Sequence, residues 1–272
     1  MHVIAWWSGL SRRRRMLLAV LALVVAAGAV AGGVSALAGG GPGPLPAAAG
    51  KPGDVLLVPG YGGSTGSLDV LVAKIRATGR SATVVRLAGN GTGDLQVQAN
   101  LLNGYVNQAL SGGSGPVTVI GYSAGGVVAW LWDVDYDGAA KARDVITLGS
   151  PLHGTSLASL GEAFVPGECP QACEQLVPGS ALLTQLADSP AARPPWLSLW
   201  TTDDQVVQPP DSARLPGAIN VPLQSVCPGV SIQHDQLPSN SLVIGIVLRA
   251  LASAHLDAPS SAVCRPGGAV TP

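Results

Sequence analysis

Two stretches of the chain set a serine between glycines at the spacing Gly-x-Ser-x-Gly: Gly62-Gly63-Ser64-Thr65-Gly66 and Gly121-Tyr122-Ser123-Ala124-Gly125. With 36 glycines among 272 residues, the bare spacing carries little weight. A reactive serine needs more than the spacing. It needs a sharp turn from a strand straight into a helix, which lifts the hydroxyl above the sheet, with small neighbours where strand and helix close on each other. Ser123 meets this requirement. It follows the apolar run Val117-Thr118-Val119-Ile120 after one turn, and a helical pattern of Val127, Val128 and Leu131 begins directly behind it. Ser64 lies six residues beyond the strand-like run that ends at Val58, out in a loop. Nucleophilic attack is therefore expected at Ser123. The plainer reading of the same residues is a glycine-rich turn that packs a helix on a strand.

A serine hydroxyl becomes a nucleophile only beside a base that a third group orients. Four histidines are available. His2 lies in a segment expected to be removed. His255 falls at the end of the last helix pattern, where a cation suits the helix C-terminus. The chain order serine, acid, histidine that accompanies this kind of elbow sets aside His153, which precedes every suitable acid. His153 is expected to shape the loop Gly149-Ser150-Pro151-Leu152-His153-Gly154-Thr155 near the site. His234, in the polar loop Gln233-His234-Asp235, is the expected base. Two aspartates stand together past the fifth strand-like run. Asp204 lies two residues before the apolar pair Val206-Val207, which would anchor the turn, and is favoured as the acid; Asp203 remains the alternative. Two backbone N–H groups should face the developing oxyanion. Ala124 supplies one, and Tyr61, in Pro59-Gly60-Tyr61-Gly62-Gly63, the other.

These residues need a frame, and the apolar runs provide one. Strands are expected at Val55–Val58, Thr83–Leu87, Val117–Ile120, Val145–Leu148, Leu197–Trp200 and Ile219–Leu223. Helical spacing connects them: Leu68, Leu71, Val72 and Ile75 up to Gly79, then a helix capped by Asp94 and running to Leu110, and finally Leu242–Leu251. Strands with few polar positions, alternating with helices, predict a mostly parallel central sheet covered by helices on both faces. Residues 151–195 contain no clear strand and read as an insertion after the fourth strand, where walls and lids of binding sites tend to sit. Residues 53–272 are expected to form one catalytic domain.

Charged residues make up only 11% of the chain. Arg12–Arg15, the apolar run Met16–Val34 and the small-x-small site Ala36-Leu37-Ala38 read as a signal peptide over residues 1–38, followed by a Pro/Gly/Ala linker over 39–52. An uncleaved membrane anchor is the competing reading of the same 19-residue run. Without Arg12–Arg15, 11 basic residues face 16 acidic ones, a net charge of −5 that speaks against a nucleic-acid partner. All four cysteines lie in the exported part. Two disulfides are expected there, and proximity pairs Cys169 with Cys173, leaving Cys227 for Cys264. No Cys-x-x-Cys pair occurs and the histidines are scattered, so neither metal nor cofactor is expected.

Taken together, Val58-Pro59-Gly60-Tyr61-Gly62, Gly121-Tyr122-Ser123-Ala124-Gly125, Gly149-Ser150-Pro151 with His153-Gly154-Thr155, Asp204-Gln205-Val206-Val207-Gln208-Pro209, and Cys227 before His234 resemble the small secreted lipases of the α/β-hydrolase superfamily, of the class 2 bacterial and fungal lipase B types. The resemblance covers most of residues 53–264. It implies a minimal α/β-hydrolase fold, Asp204 as the acid, a C-terminal disulfide at Cys227–Cys264, and hydrolysis of acylglycerol-like esters. Tyr61 departs from the small or polar residue often found at its position. The expected protein is a secreted, monomeric lipase or esterase that meets lipid surfaces transiently. Acyl transfer to a cell-envelope alcohol by the same machinery is one alternative. A non-catalytic binding protein on a hydrolase scaffold is another.

Overall fold

A computed structural model of the protein describes residues 53–159, 169–189 and 194–264. The expected signal segment and linker, residues 1–38 and 39–52, lie outside the described residues. So does the middle of the insertion.

Six strands form one sheet: β1 (Val55–Val58), β2 (Ala82–Val84), β3 (Val117–Tyr122), β4 (Ala142–Leu148), β5 (Trp196–Trp200) and β6 (Ile219–Pro222). Every neighbouring pair is parallel, in the order β2-β1-β3-β4-β5-β6. The expected mostly parallel sheet is thus parallel throughout. Alternate residues of the strands feed two separate cores. Leu56, Val58, Val117, Val119 and Val145 face one side, where α2 (Leu95–Ser111) and α3 (Ala124–Asp135) pack. Val55, Leu57, Ile146, Leu148, Leu197 and Leu199 face the other, under α1 (Gly66–Ala77) and the last helix, Ser241–Ala252. Burial on both faces explains why these strands read as apolar runs instead of alternating ones.

Side chains cap the starts of α2, as expected of Asp94, and of the last helix. Asp94 accepts a hydrogen bond from the Gln96 N–H at the start of α2, and Asn240 does the same for Leu242 at the start of the last helix. Three strands end elsewhere than expected. β3 runs on to Tyr122 instead of Ile120. β2 stops at Val84 instead of Leu87. The Val85 N–H still reaches Leu57 O, but the Arg86 N–H is taken by the Tyr105 hydroxyl, which turns the chain off the sheet. β6 ends at Pro222, and Leu223–Val226 is a helical turn.

The described parts of the insertion contain no strand. Helices α4 (Gln171–Gln175) and α5 (Ala181–Ala187) place Ala172, Leu176, Leu183 and Leu186 in the core beside α3. Both disulfides pair as expected: Cys169–Cys173 at the entry to α4, and Cys227–Cys264 across 37 residues. Among the described residues, no helix is long and apolar enough to cross a membrane.

In the strand order, β2 lies on one side of β1 and β3 on the other. The loops leaving β1 and β3 therefore diverge, opening a crevice at the carboxyl ends of these strands.

Candidate active site

Ser123 stands at that crevice, between the end of β3 and the first residue of α3. Its backbone is bent to φ 53° and ψ −128°, a left-handed conformation that side chains rarely adopt. The bend is possible because the residues around it are glycines. A methyl group on Gly121 would come within 2.5 Å of Gly126 Cα, and one on Gly125 within 2.2 Å of Val58 O. A third glycine, Gly126, is not part of the five-residue pattern but is equally constrained: a Cβ there would lie 2.0 Å from Ser150 Oγ. The Ser123 side chain makes no capping bond to its own helix, which leaves the hydroxyl to point elsewhere.

It points to His234. Ser123 Oγ lies 3.0 Å from His234 Nε2, and His234 Nδ1 lies 2.7 Å from Asp204 Oδ2. An ionised carboxylate only accepts hydrogen bonds, so Nδ1 carries the proton in the neutral ring and Nε2 is left to accept from the serine. Asp204 is 2% exposed and His234 4%. The second carboxylate oxygen of Asp204 accepts from the Val206 and Val207 N–H groups, at 2.9 and 2.8 Å. The Asp204 carboxylate is thus fixed by its own turn, with buried Val207 as the anchor.

The other residues singled out in the sequence fall elsewhere. Asp203 is exposed, and its Oδ2 accepts a hydrogen bond from Ser231. Ser64 is exposed in the loop before α1. His153 is exposed, its ring against Ser212 O, where it lines a cavity of about 540 Å³ with Pro178, Pro209, Arg214 and Leu215. His255 is exposed beyond the end of the last helix. Ala124 opens α3, so its N–H belongs to the first turn, where no intrahelical acceptor exists. Gly60 packs directly on Ser123: a Cβ there would lie 2.9 Å from Ser123 Cβ. Tyr61 follows it, 44% exposed, and partial burial raises its phenol above the ordinary value.

Two contributions were not foreseen from the sequence. Gly149, at φ 55°, leaves room for Asp204 and His234; a Cβ there would approach both Asp204 Oδ2 and His234 Nδ1 to 3.2 Å. The glycine was visible in the sequence, but its partners lie more than 50 residues away. Tyr122 stacks its ring 5.2 Å from that of His234 and donates its hydroxyl to His234 O at 3.3 Å. Burial, with Asp235 and Asp204 nearby, raises the Tyr122 phenol strongly, so it remains a neutral donor. Among the described residues, no group of His, Cys, Asp and Glu could hold a metal ion.

The sequence matches no protein-family model and no curated protein. Solved structures do resemble it. Aspergillus fumigatus lipase B is 20% identical with a TM-score of 0.65, over 84% of this chain and 60% of that one. A Bacillus licheniformis lipase in its mature form is 17% identical with a TM-score of 0.61, over 77% of this chain and 96% of that one. A metagenomic carboxyl esterase is 18% identical with a TM-score of 0.53, over 76% and 78%. This chain therefore spans three-fifths of the length of the Aspergillus lipase. At such identities the likeness establishes the fold, which is that of the α/β-hydrolases.

Proposed function

We propose that this α/β-hydrolase-fold protein is an exported serine lipase or esterase that cleaves carboxylic esters through an acyl-enzyme. The observation that carries the reading is the unbroken chain Ser123–His234–Asp204, at 3.0 and 2.7 Å, on a strained strand–helix turn beside a glycine-lined loop. Ser123 Oγ attacks the ester carbonyl while His234 Nε2 takes its proton, and the same proton passes to the departing alcohol. Water then enters by the reverse route and releases the acid. Asp204 stabilises the imidazolium, and the N–H groups of Ala124 and Tyr61 receive the oxyanion. The two disulfides and the signal-like N-terminus support an oxidising destination outside the cytoplasm. Lipases and an esterase among the similar structures support esters as the substrate class.

The test is a hydrolysis profile over short- and long-chain p-nitrophenyl esters, with fluorophosphonate labelling, on the wild-type protein and on Ser123→Ala. Hydrolysis and labelling that both vanish with Ser123→Ala are the expected result. An unlabelled wild-type protein would return the chain to a non-catalytic role.

A further inference from the structure

Thr155 lies in the loop after β4, in the stretch that runs from Gly149. It is buried, and its hydroxyl uses every hydrogen-bonding capacity it has. The O–H donates to Val206 O at 2.8 Å, while the oxygen accepts from the Gln208 N–H at 3.0 Å and from the Leu157 N–H at 3.3 Å. Next to it, the Ser156 N–H donates to Gln208 O at 2.8 Å, and the Thr155 N–H donates to Leu176 O at 3.0 Å at the end of α4. Residues 155–156 thus grip residues 206–208 from outside. The same stretch of loop grips the acid from inside, because the Val206 and Val207 N–H groups hold Asp204 Oδ1. Gly154, at φ 87°, lets this clasp close: a Cβ there would lie 2.6 Å from Pro178 N.

We propose that Thr155 is a positioning residue for the acid–base pair. Its hydroxyl fixes the Asp204–Gln208 loop against the base of the insertion and so keeps Asp204 Oδ2 on His234 Nδ1. This rests on the reading of Ser123, His234 and Asp204 as the reacting triad. Thr155→Val keeps the shape but strips partners from Val206 O and the Gln208 N–H, which must move to recover them. A shift of about 1 Å in such a group is enough to cost on the order of 10²-fold in turnover.

The experiment measures kcat, KM and melting temperature with p-nitrophenyl butyrate. Thr155→Val should lower kcat on the order of 10²-fold with KM changed by less than about threefold, whereas Thr155→Ser, which restores the hydroxyl, should stay within about threefold of wild type. The decisive step is a cycle with Asp204→Asn. Because Thr155 acts through the acid, Thr155→Val should cost less than about threefold more in the Asp204→Asn protein. A further loss of the full single-mutant size in that background, or a valine variant with wild-type kcat, would overturn the proposal. If Thr155→Val does not fold, Thr155→Ala against Thr155→Ser isolates the hydroxyl in the same cycle. Asp204→Asn with undiminished hydrolysis would instead refute the triad reading itself, so the two failures are told apart.

Discussion

At the scale of single residues, two aspartates side by side differ in everything but type. Asp204 is buried with both oxygens committed, whereas Asp203 faces solvent and holds only Ser231 and its own turn. Asp204→Asn should therefore reduce kcat by about 10⁴, since an amide neither stabilises the imidazolium nor enforces the right tautomer. Asp203→Asn should leave turnover within about twofold, as expected of an exposed site. Steady-state kinetics on the two variants checks the pair. Ser123→Ala should lose on the order of 10⁶ in kcat, and Ser64→Ala almost nothing. The grouping of Ser123, Asp204 and His234 was legible because each obeys a local rule: an elbow between strand and helix, an aspartate ahead of an apolar anchor, and a fixed order along the chain. Tyr122 and Gly149 were not, because their roles depend on the distant His234 and Asp204, which no local pattern brings near.

Between elements, α3 lies close against the loop after β4, at Gly126 and Ser150. Gly126→Ala drives a methyl group into Ser150, and overpacking of this kind costs about 1–3 kcal/mol. Thermal melts should record that loss, and Ser150→Gly in the same chain should restore much of it. β4 carries a second test. Asp144 is buried, and burial raises its carboxyl above the ordinary value although Arg143 stands 2.7 Å away. A raised value means that the folded protein holds a proton the unfolded chain has released. This contribution to stability is complete below the unfolded value of about 3.9 and is lost as pH rises through the folded one. Wild type should therefore gain stability relative to Asp144→Asn as pH falls from neutral toward about 4, and melts over a falling pH series should show it. Strand positions were legible from their apolar runs, since both faces of the sheet are covered. Their ends were less so. Nothing near Arg86 announces that a tyrosine hydroxyl 19 residues on will take its N–H and end β2 early.

On the scale of the whole molecule, the Cys227–Cys264 bridge closes a loop of 37 residues that contains His234. Loop-closure entropy puts its worth at about 3–4 kcal/mol. Cys264→Ser should lower the melting temperature by roughly 10 °C, whereas Cys173→Ser, which opens a loop of four residues, should lower it far less. Calorimetry on the two single variants compares them directly.

The two rims of the sheet carry a consequence for life at high concentration. A free strand edge offers a row of unpaired amides and carbonyls on which a strand of another copy can grow, and this is how folded proteins begin to aggregate. Here one rim, β2, is three residues long, and the other, β6, is four and ends in Pro222, which has no N–H to offer. Neither rim gives a neighbouring chain enough length to pair with. Among the described residues, the two short rims thus blunt the sheet against this kind of pairing in a chain with few charges to keep its copies apart.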